Sequence, residues 1–390
     1  MRKLRFLALC LLTAACAVTA LAAETDGRLV SKQKDAPSFA DVKGAWCEDY
    51  VAAAYEAGLL TGKTAERFDA VSPLTHAQIT VITARLHSLL RGGDGTLPSP
   101  AAGEAWYQPA ADYLQAECAD EDVGYTLKNL KRTANEPCSR LTFVGMLSGV
   151  LTEPLPILND VHTVIDTANA DVVAFYRAGI LNGSDAYGSF GESSSLTRGA
   201  AAAMLARLVE PSRRLTFTLK DFDLCRDVLG VEPETVLLTV DGRDVSAALL
   251  APQLCDAIRQ RQGGRAALTD AVQLWCDYSQ SVPALAEQLG AALSDEKLTA
   301  IAAEAAQTDG LYGRTAAYWQ FSGEKIALNA AMREQYISQN EKTGEVEYHK
   351  ALEDCARELA EQAVMTEALQ GLDLSAAYRR LNTSTLPNGI

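Results

Sequence analysis

The sequence predicts a mainly α-helical protein in which three two-helix repeats form a pseudo-threefold bundle, followed by a separate, mostly helical domain with a short β element. Three observations predict this fold class. A helix–loop–helix pattern recurs three times in the first half of the chain. Apolar residues recur at helical spacing through most of the second half. One β-rich run, residues 235–240, is followed by an Asp-Gly turn.

Residues 1–23 are predicted to be a signal peptide, so we expect a secreted protein. A cationic start precedes the uncharged apolar run 6–21, and residues 20–22 supply the small-x-small pattern of a cleavage site. The run is shorter than the roughly 20 residues that span a membrane, which makes a retained signal anchor the weaker alternative. Lipoprotein processing before Cys16 is a further alternative, although the usual Leu is missing. No later stretch predicts a membrane span.

The formal net charge of −15 disfavours a nucleic-acid partner, because binding phosphates requires clustered Lys and Arg. It equally disfavours attachment to an anionic wall polymer through bulk charge, so any such binding must come from local pockets.

Seven cysteines follow the signal peptide, and an odd number leaves at least one unpaired or paired between molecules. Their spacings fit no zinc site, and no metal or cofactor is predicted. We expect most of them to be small buried hydrophobes. A disulfide between Cys118 and Cys138 is the alternative.

The first repeat, module one, covers residues 38–95. A Phe-Ala-Asp-Val segment and a Trp precede a predicted helix over 50–57, a glycine-containing loop follows, and a Leu-Thr-His segment opens a second helix that runs to about residue 90. The residues that mark this module are Asp41, Trp46, Gly62, Thr75 and His76.

The third repeat, module three, covers residues 155–212 and repeats this order. An Asn-Asp-Val segment precedes a predicted helix over 168–178, and a Leu-Thr-Arg segment opens the closing helix. From the Asp to the Thr is 34 residues in module one and 37 in module three. The marking residues are Asp160, Gly183, Thr197 and Arg198.

Module two, residues 100–152, is divergent. It keeps Trp106, a predicted helix over 109–117, and a Ser139-Arg140 segment that opens a helix to about residue 151. A polar stretch, 120–135, replaces the glycine-containing element. Thr75, Ser139 and Thr197 lie 64 and 58 residues apart, as adjacent modules of similar size require. Each is predicted to be an N-cap.

A two-helix unit cannot bury both of its apolar faces alone, whereas three units that share one core can. We therefore expect one bundle of three modules. Trp46 and Trp106 are expected to be partly buried anchors between the helices of their modules, because large aromatic side chains usually bury most of their area.

Residues 38 to about 210 resemble the S-layer homology family, whose modules read roughly Phe-x-Asp-Val-x-x-x-Trp, Gly-Ile-x-x-Gly and Leu-Thr-Arg-Ala-Glu. The resemblance implies a three-pronged spindle whose grooves bind secondary cell-wall polysaccharide, often pyruvylated, at the bacterial cell surface. The polymer-binding residues it implies are Asp41, Trp46, Gly62, Thr75, His76, Trp106, Ser139, Arg140, Asp160, Gly183, Thr197 and Arg198.

The family's key Arg corresponds to Arg140 and Arg198, and His76 stands in its place in module one. Only a guanidinium combines permanent charge with a fork that binds a carboxylate bidentately, so the first groove is expected to be the weakest. The acidic residue that closes the motif is replaced by Gln, Thr and Ala in the three modules. Helix capping by the two Asp residues, and structural ion pairing by the two Arg residues, are the alternatives.

The second half, residues 215–382, is predicted to form a helical domain. A short strand or entry segment at 215–219, a strand at 235–240 and an Asp-Gly turn precede Ser246, a candidate N-cap. The predicted helices are 247–262, 266–278, 283–293, 296–306, 314–336 and 345–369. Residues from about 235 to 378 resemble the chaperone segments of secreted peptidyl-prolyl isomerases of the SurA and PrsA type, without their catalytic domain. The resemblance implies unfolded or extended polypeptide as an alternative partner.

No catalytic signature is present, so we expect a binding protein and not an enzyme. The four histidines have no metal-type spacing, and no phosphate-binding, dinucleotide or nucleophile-elbow motif occurs. An enzyme whose active site lies in residues 215–390 without a readable motif is the remaining alternative.

Overall fold

The computed structural model describes residues 28–35, 37–383 and 386–387; the predicted signal peptide lies outside these ranges. The mainly α fold with a short β element is confirmed. No helix in the described part of the chain is long and apolar enough to cross a membrane. The chain divides into two compact units.

The first unit contains modules one and two and most of module three. It comprises residues up to 161, 169–182 and 191–218. Two loops of the third repeat, 162–168 and 183–190, group with the second unit. The helices of the first unit are α1 (Glu48–Glu56), α2 (His76–Leu90), α3 (Gln108–Glu117), α4 (Glu121–Thr133), α5 (Arg140–Ser148), α6 (Ala170–Arg177) and α7 (Arg198–Val209).

A closed ring of backbone hydrogen bonds lies at the centre of this unit. The Leu74 amide donates to the Leu196 carbonyl (2.8 Å), Leu196 donates to Cys138 (2.9 Å), and Cys138 donates to Leu74 (2.9 Å). All three side chains are fully buried. Because each residue comes from a different module at the same position before its closing helix, the ring is the pseudo-threefold axis of the bundle.

The closing helices begin where the sequence predicts, at hydroxyl N-caps. Thr75 Oγ1, Ser139 Oγ and Thr197 Oγ1 each accept from the backbone amide three residues later, at 3.4, 3.0 and 3.2 Å. In module one the Gln78 side chain also accepts from the Thr75 amide (3.0 Å), which completes a capping box. Gln78 therefore performs the capping role of the Glu that the family pattern contains.

The polar stretch that replaces the glycine-containing element of module two forms a helix. Asp120 caps α4 by accepting from the amides of Asp122 and Val123. α4 packs against α5, and Val123, Leu130 and two other side chains bury one of its faces. The charged residues of this stretch lie on the remaining faces of an amphipathic helix, which explains its polar appearance in sequence.

The second unit is built around one hydrophobic core. The elements are β1 (Val236–Val240), β2 (Arg243–Ser246), α8 (Ala247–Gln260), α9 (Ala266–Trp275), α10 (Ser281–Leu289), α11 (Asp295–Gln307), α12 (Ala316–Gln339), α13 (Gly344–Gln362), β3 (Val364–Met365), α14 (Glu367–Gln370) and α15 (Leu374–Leu381). The antiparallel sheet has the order β2-β1-β3. Ile165, from a loop of the third repeat, is buried in this core.

The predicted Asp-Gly turn is a two-residue hairpin. Asp241 and Gly242 both have positive φ (49° and 70°), as the turn that joins twisted strands requires, and Val240 pairs with Arg243. The prediction missed β2 and β3. Ser246 does precede α8, but its hydroxyl makes no capping bond, since the residue also ends β2. The segment 215–219 is not a strand.

Two helix boundaries in the second unit were wrongly predicted. A π-type turn, Cys276–Gln280, joins α9 to α10, so the chain stays helical where a new start near residue 283 was expected. The helix predicted for 345–369 ends at Gln362, where β3 adds to the sheet by pairing with β1. In both places tertiary packing determines the backbone conformation.

All seven cysteines outside the signal peptide are free thiols, and the alternative of a Cys118–Cys138 disulfide is not observed. Six of them are buried, and the Cys118 thiol contacts the Gly149 carbonyl. Burial raises the pKa of Cys138 to about 12 and that of Cys276 to about 11. These thiols therefore stay protonated at neutral pH and pack as small hydrophobes.

Candidate functional site

The loop of module one folds over Asp41. The two carboxylate oxygens accept from the backbone amides of Phe68 (2.9 Å) and Asp69 (2.7 Å). Burial opposes ionisation of Asp41, but the amide hydrogen bonds outweigh it, and its pKa lies below the ordinary value. Gly62 is required here because a Cβ would collide with the Phe39 ring and the Thr64 carbonyl. Asp41 thus fixes the loop and does not cap a helix.

Arg198 of module three completes this loop. Its guanidinium donates to the carbonyls of Phe68 (2.9 Å) and Thr61, and its central carbon lies 4.5 Å from the centre of the Phe68 ring. The residue is only 6 % exposed. Burial lowers the pKa of Arg198, and the nearby carboxylates of Asp69 and Asp41 oppose this effect. Arg198 therefore holds the loop of another module in place.

Asp69 forms ion pairs with the exposed cationic side chains of the same loop. Its carboxylate pairs with Lys63 (2.5 Å) and Arg67 (3.5 Å) and accepts from the Ser72 hydroxyl (2.6 Å). The hydrogen bonds from Lys63 and Ser72 lower the pKa of Asp69 to about 2. Its φ of 64° is a left-handed conformation that Asp tolerates. The side chains of Lys63 and Arg67 remain 44 % and 64 % exposed.

The contribution of Asp69 to stability should disappear in acid. A pKa lowered from 3.8 to about 2 stabilises the folded state fully above about pH 4, and this stabilisation is lost as the pH falls towards 2. Asn retains the tolerance for positive φ, so Asp69→Asn removes only the charge. We expect the difference in melting temperature between wild type and Asp69→Asn to shrink between pH 5 and pH 2.

The control is Asp112→Asn, which changes an exposed carboxylate on α3. A calorimetric series over that pH range measures the difference from wild type for both variants. A pH-independent difference for Asp69→Asn would contradict the ion-pair assignment.

The two tryptophans are exposed, and the expectation that they are partly buried anchors is wrong. Trp46 is 67 % exposed and Trp106 is 54 % exposed. The residue that packs in the interior at the start of α1 is Cys47, which is 1 % exposed. A Cβ added to Gly199 would lie 3.5 Å from the Cys47 sulfur, so the two residues are close neighbours. Gly199 has no side chain and that of Cys47 is small, so α1 and α7 pack closely at this point, while the indole of Trp46 is exposed.

Trp46 lies at the same end of α1 as the module-one loop. Burial is the main cause that raises the pKa of the Cys47 thiol, and the charge of the nearby Asp41 carboxylate raises this pKa further. Gly199, which contacts Cys47, directly follows Arg198. We define the module-one site as the set Asp41, Trp46, Lys63, Arg67, Asp69 and Arg198. It combines an exposed aromatic face with two exposed cations on a loop that is fixed by buried hydrogen bonds.

His76 does not belong to the module-one site. It begins α2 and lines a cleft of about 330 Å³ formed with α4 and α5 of module two. Burial is the main cause that lowers the pKa of His76, and Arg132 contributes to this effect while Glu136 opposes it. The imidazole is therefore neutral at pH 7, as expected from its residue type. Each closing helix thus starts against a neighbouring module.

Arg140 of module two likewise begins a closing helix that contacts a neighbouring module. Its backbone amide donates to the Ser194 carbonyl of module three (2.9 Å), and the Leu141 amide donates to Glu192 (3.3 Å). Trp106 lies just before α3, in contact with the Tyr107 ring, and is remote in sequence from the loop that Arg198 holds. The twelve predicted residues therefore lie in several different parts of the three modules and do not form one site.

In module three the structural counterpart of Asp41 is Asp166, so the alignment through Asp160 is wrong. Asp166 Oδ1 accepts from the Phe190 amide (2.8 Å), as Asp41 accepts from Phe68. Asp160 is exposed near the end of the preceding loop. Phe190 follows Asp160 by 30 residues and Asp166 by 24, whereas Phe68 follows Asp41 by 27. Both spacings differ from that of module one by three residues, so spacing alone could not show which Asp corresponds to Asp41.

The module-three loop that contains Gly183 packs within the second unit. A Cβ on Gly183 would collide with the backbone of Gly188, which explains the glycine at a φ of 83°. The Lys220 amide donates to Ala186 (2.9 Å), and the rings of Tyr187 and Phe222 meet edge to face. The loop that corresponds to the module-one site is thus engaged in packing.

Comparison with known proteins identifies the class. Residues 38–80 match the family model of the S-layer homology domain. No curated protein and no solved structure matches the chain. Residues 38–80 are therefore similar to an S-layer homology domain, and domains of this family are associated in general with the cell surface or wall. The match ends within α2, and modules two and three are assigned from the internal repeat. The chaperone resemblance of the second half stays a prediction.

Proposed function

We propose that this protein is anchored at the cell wall by binding secondary cell-wall polysaccharide at the module-one site. The observation that carries the proposal is that module one exposes the indole of Trp46 and, on its loop, the cationic side chains of Lys63 and Arg67. An aromatic face packs against the C–H face of a pyranose ring, and fixed cations attract acidic substituents such as a pyruvate carboxylate. Lys63 and Arg67 thus supply local positive charge in a chain whose formal net charge is −15.

Rigidity of the loop supports this site. A binding loop that is already ordered loses little conformational entropy when the polymer binds. Here the amide bonds to Asp41 and the two bonds from Arg198 fix the backbone of residues 61–69 before any ligand arrives. Arg198 acts by positioning the loop, while Trp46, Lys63 and Arg67 contact the polymer.

The expected order of the grooves is revised accordingly. Module one was expected to be the weakest because His76 replaces its Arg. However, the Arg that serves the module-one loop is Arg198, and His76 serves module two. Module one therefore takes the principal role in this proposal. We further propose that the protein binds and does not catalyse, in keeping with the lack of a catalytic motif in the sequence.

Binding of the full mature chain to purified cell-wall sacculi tests the proposal. We expect the protein to pellet with untreated sacculi and to stay in the supernatant after the polysaccharide is stripped from them. Binding should weaken as salt rises, because the proposed cations are partly exposed and therefore screened. Equal pelleting with stripped sacculi, or no pelleting with either, would refute polysaccharide anchoring.

A further inference from the structure

We infer that a cavity between modules two and three binds the C-terminal end of an extended peptide whose last side chain is apolar. The cavity lies apart from the module-one site, and the inference does not depend on wall anchoring. Its volume of about 500 Å³ lies within the range of small-molecule sites, about 300–1,000 Å³. It is lined by the end of α5, by the segment 151–157 that follows α5, and by one face of α6.

The walls of the cavity are largely apolar. Ala170 and Ala174 lie one turn apart on the same face of α6, and their small side chains leave space in front of this helix. The facing segment contributes four apolar side chains, those of Leu151, Pro154, Leu155 and Ile157. Ile157 is 72 % exposed. An apolar side chain of a ligand gains free energy by covering these atoms and leaving water.

Arg177 brings a positive charge to the same cavity. It follows Ala174 by three residues on α6, is partly buried, and donates from its Nε to the Val161 carbonyl (2.6 Å). In the part of the chain that the structure describes, this guanidinium has no other hydrogen bond and no ion pair. Its two terminal NH₂ groups are therefore available to bind a carboxylate bidentately.

Glu153 is the acidic side chain that lines this cavity. It forms no ion pair with Arg177, and it belongs to an exposed residue, so water and salt screen its charge. The partly buried guanidinium is screened less. A ligand carboxylate that reaches Arg177 is therefore attracted more strongly by Arg177 than it is repelled by Glu153.

The backbone of the segment 152–157 favours a peptide over other apolar carboxylates. Four of its amides donate to no acceptor in the described part of the chain, those of Thr152, Glu153, Leu155 and Ile157. The other two residues are prolines, which lack an amide hydrogen and hold the residue before them in an extended conformation. Extended peptides form main-chain hydrogen bonds with backbone groups that are free in this way.

Titration of the full mature chain with the peptide N-acetyl-Ala-Ala-Leu, followed by ligand-observed NMR, tests the inference. We expect saturable binding of the free acid. The C-terminal amide of the same peptide should bind at least about tenfold more weakly, because it lacks the charge that forms the strong hydrogen bonds with Arg177. Octanoate, which has a carboxylate and an apolar chain but no peptide groups, should also bind at least about tenfold more weakly than the free acid.

Two variants locate the binding in this cavity. Arg177→Lys keeps the charge but removes the planar fork, and Ala174→Leu fills the cavity with a side chain that suits a helix. We expect each to bind the free acid at least about tenfold more weakly than wild type. Arg226→Lys is the matched control, because it makes the same change at an exposed Arg of the second unit, and it should bind like wild type.

Three results would overturn the inference. The first is no saturable binding of the free acid, and the second is equal affinity for the acid and its amide. The third is wild-type affinity in Ala174→Leu, which retains Arg177 and its bond to Val161. Octanoate binding as tight as that of the free acid would replace the peptide with a lipid carboxylate as the ligand.

Discussion

Replacing Arg198 with alanine is expected to cost about 4 kcal/mol of stability in the first unit and to abolish sacculus binding. The guanidinium makes two charge-assisted hydrogen bonds to the module-one loop, and each such bond contributes about 1.5–3 kcal/mol. Its stacking on Phe68 is lost as well. Differential scanning calorimetry gives the stability, and pelleting with sacculi gives the binding.

Two further variants test whether the effect is specific to the guanidinium of Arg198. Arg198→Lys keeps the charge but loses the planar fork, so it should recover only part of the stability. Arg226→Ala, which removes an exposed Arg in the second unit, should leave stability and binding close to wild type. A wild-type melting temperature for Arg198→Ala would contradict the assignment of Arg198 as the residue that holds the loop.

Leu196→Ala is expected to destabilise the first unit by about 3 kcal/mol, the usual cost of truncating a fully buried Leu. Leu196 lies in the ring of hydrogen bonds on the pseudo-threefold axis, where contacts from all three modules converge. The melting temperature of this unit should fall by about 8 °C. Calorimetry of the full mature chain measures the shift.

Val71→Ala provides the comparison for the core prediction. Val71 lies in the module-one loop and is 82 % exposed, so its truncation should change the melting temperature little. Equal shifts for Leu196→Ala and Val71→Ala would mean that the three modules do not share one core.

The helix starts could be predicted from sequence because their causes are local. A hydroxyl at position 75, 139 or 197 satisfies the amides of the turn that follows it, wherever that helix packs. Likewise, Gly58 and Gly179 end their helices with φ of 74° and 71°. The repeat of these local signals was sufficient to predict the threefold bundle.

The arrangement of the site depends on contacts between modules and could not be predicted in the same way. Nothing in the sequence around Arg198 indicates that its partners are the carbonyls of Thr61 and Phe68, more than 120 residues earlier. Nor does the sequence indicate that Cys47 is buried beside Gly199 while its neighbour Trp46 is exposed. Composition alone makes a Trp beside a helix look like a core residue.

In the second half, too, sequence patterns predicted the elements with local causes and missed those that depend on tertiary contacts. Hydrophobic periodicity located most helices, and the Asp-Gly pair located the hairpin turn. β3 is only two residues long and is defined by its pairing with β1, so no local pattern marks it. The π-type turn after Trp275 keeps the chain helical through a segment that sequence signals divide.

The most direct test of the central claim is the affinity of Trp46→Ala for sacculi. Trp46 is exposed, so its removal should leave the melting temperature unchanged, and Tyr278→Ala controls for the loss of an exposed aromatic side chain elsewhere. The account predicts binding at least about tenfold weaker for Trp46→Ala and unchanged binding for Tyr278→Ala. Wild-type affinity in a correctly folded Trp46→Ala variant would contradict a polymer site on module one.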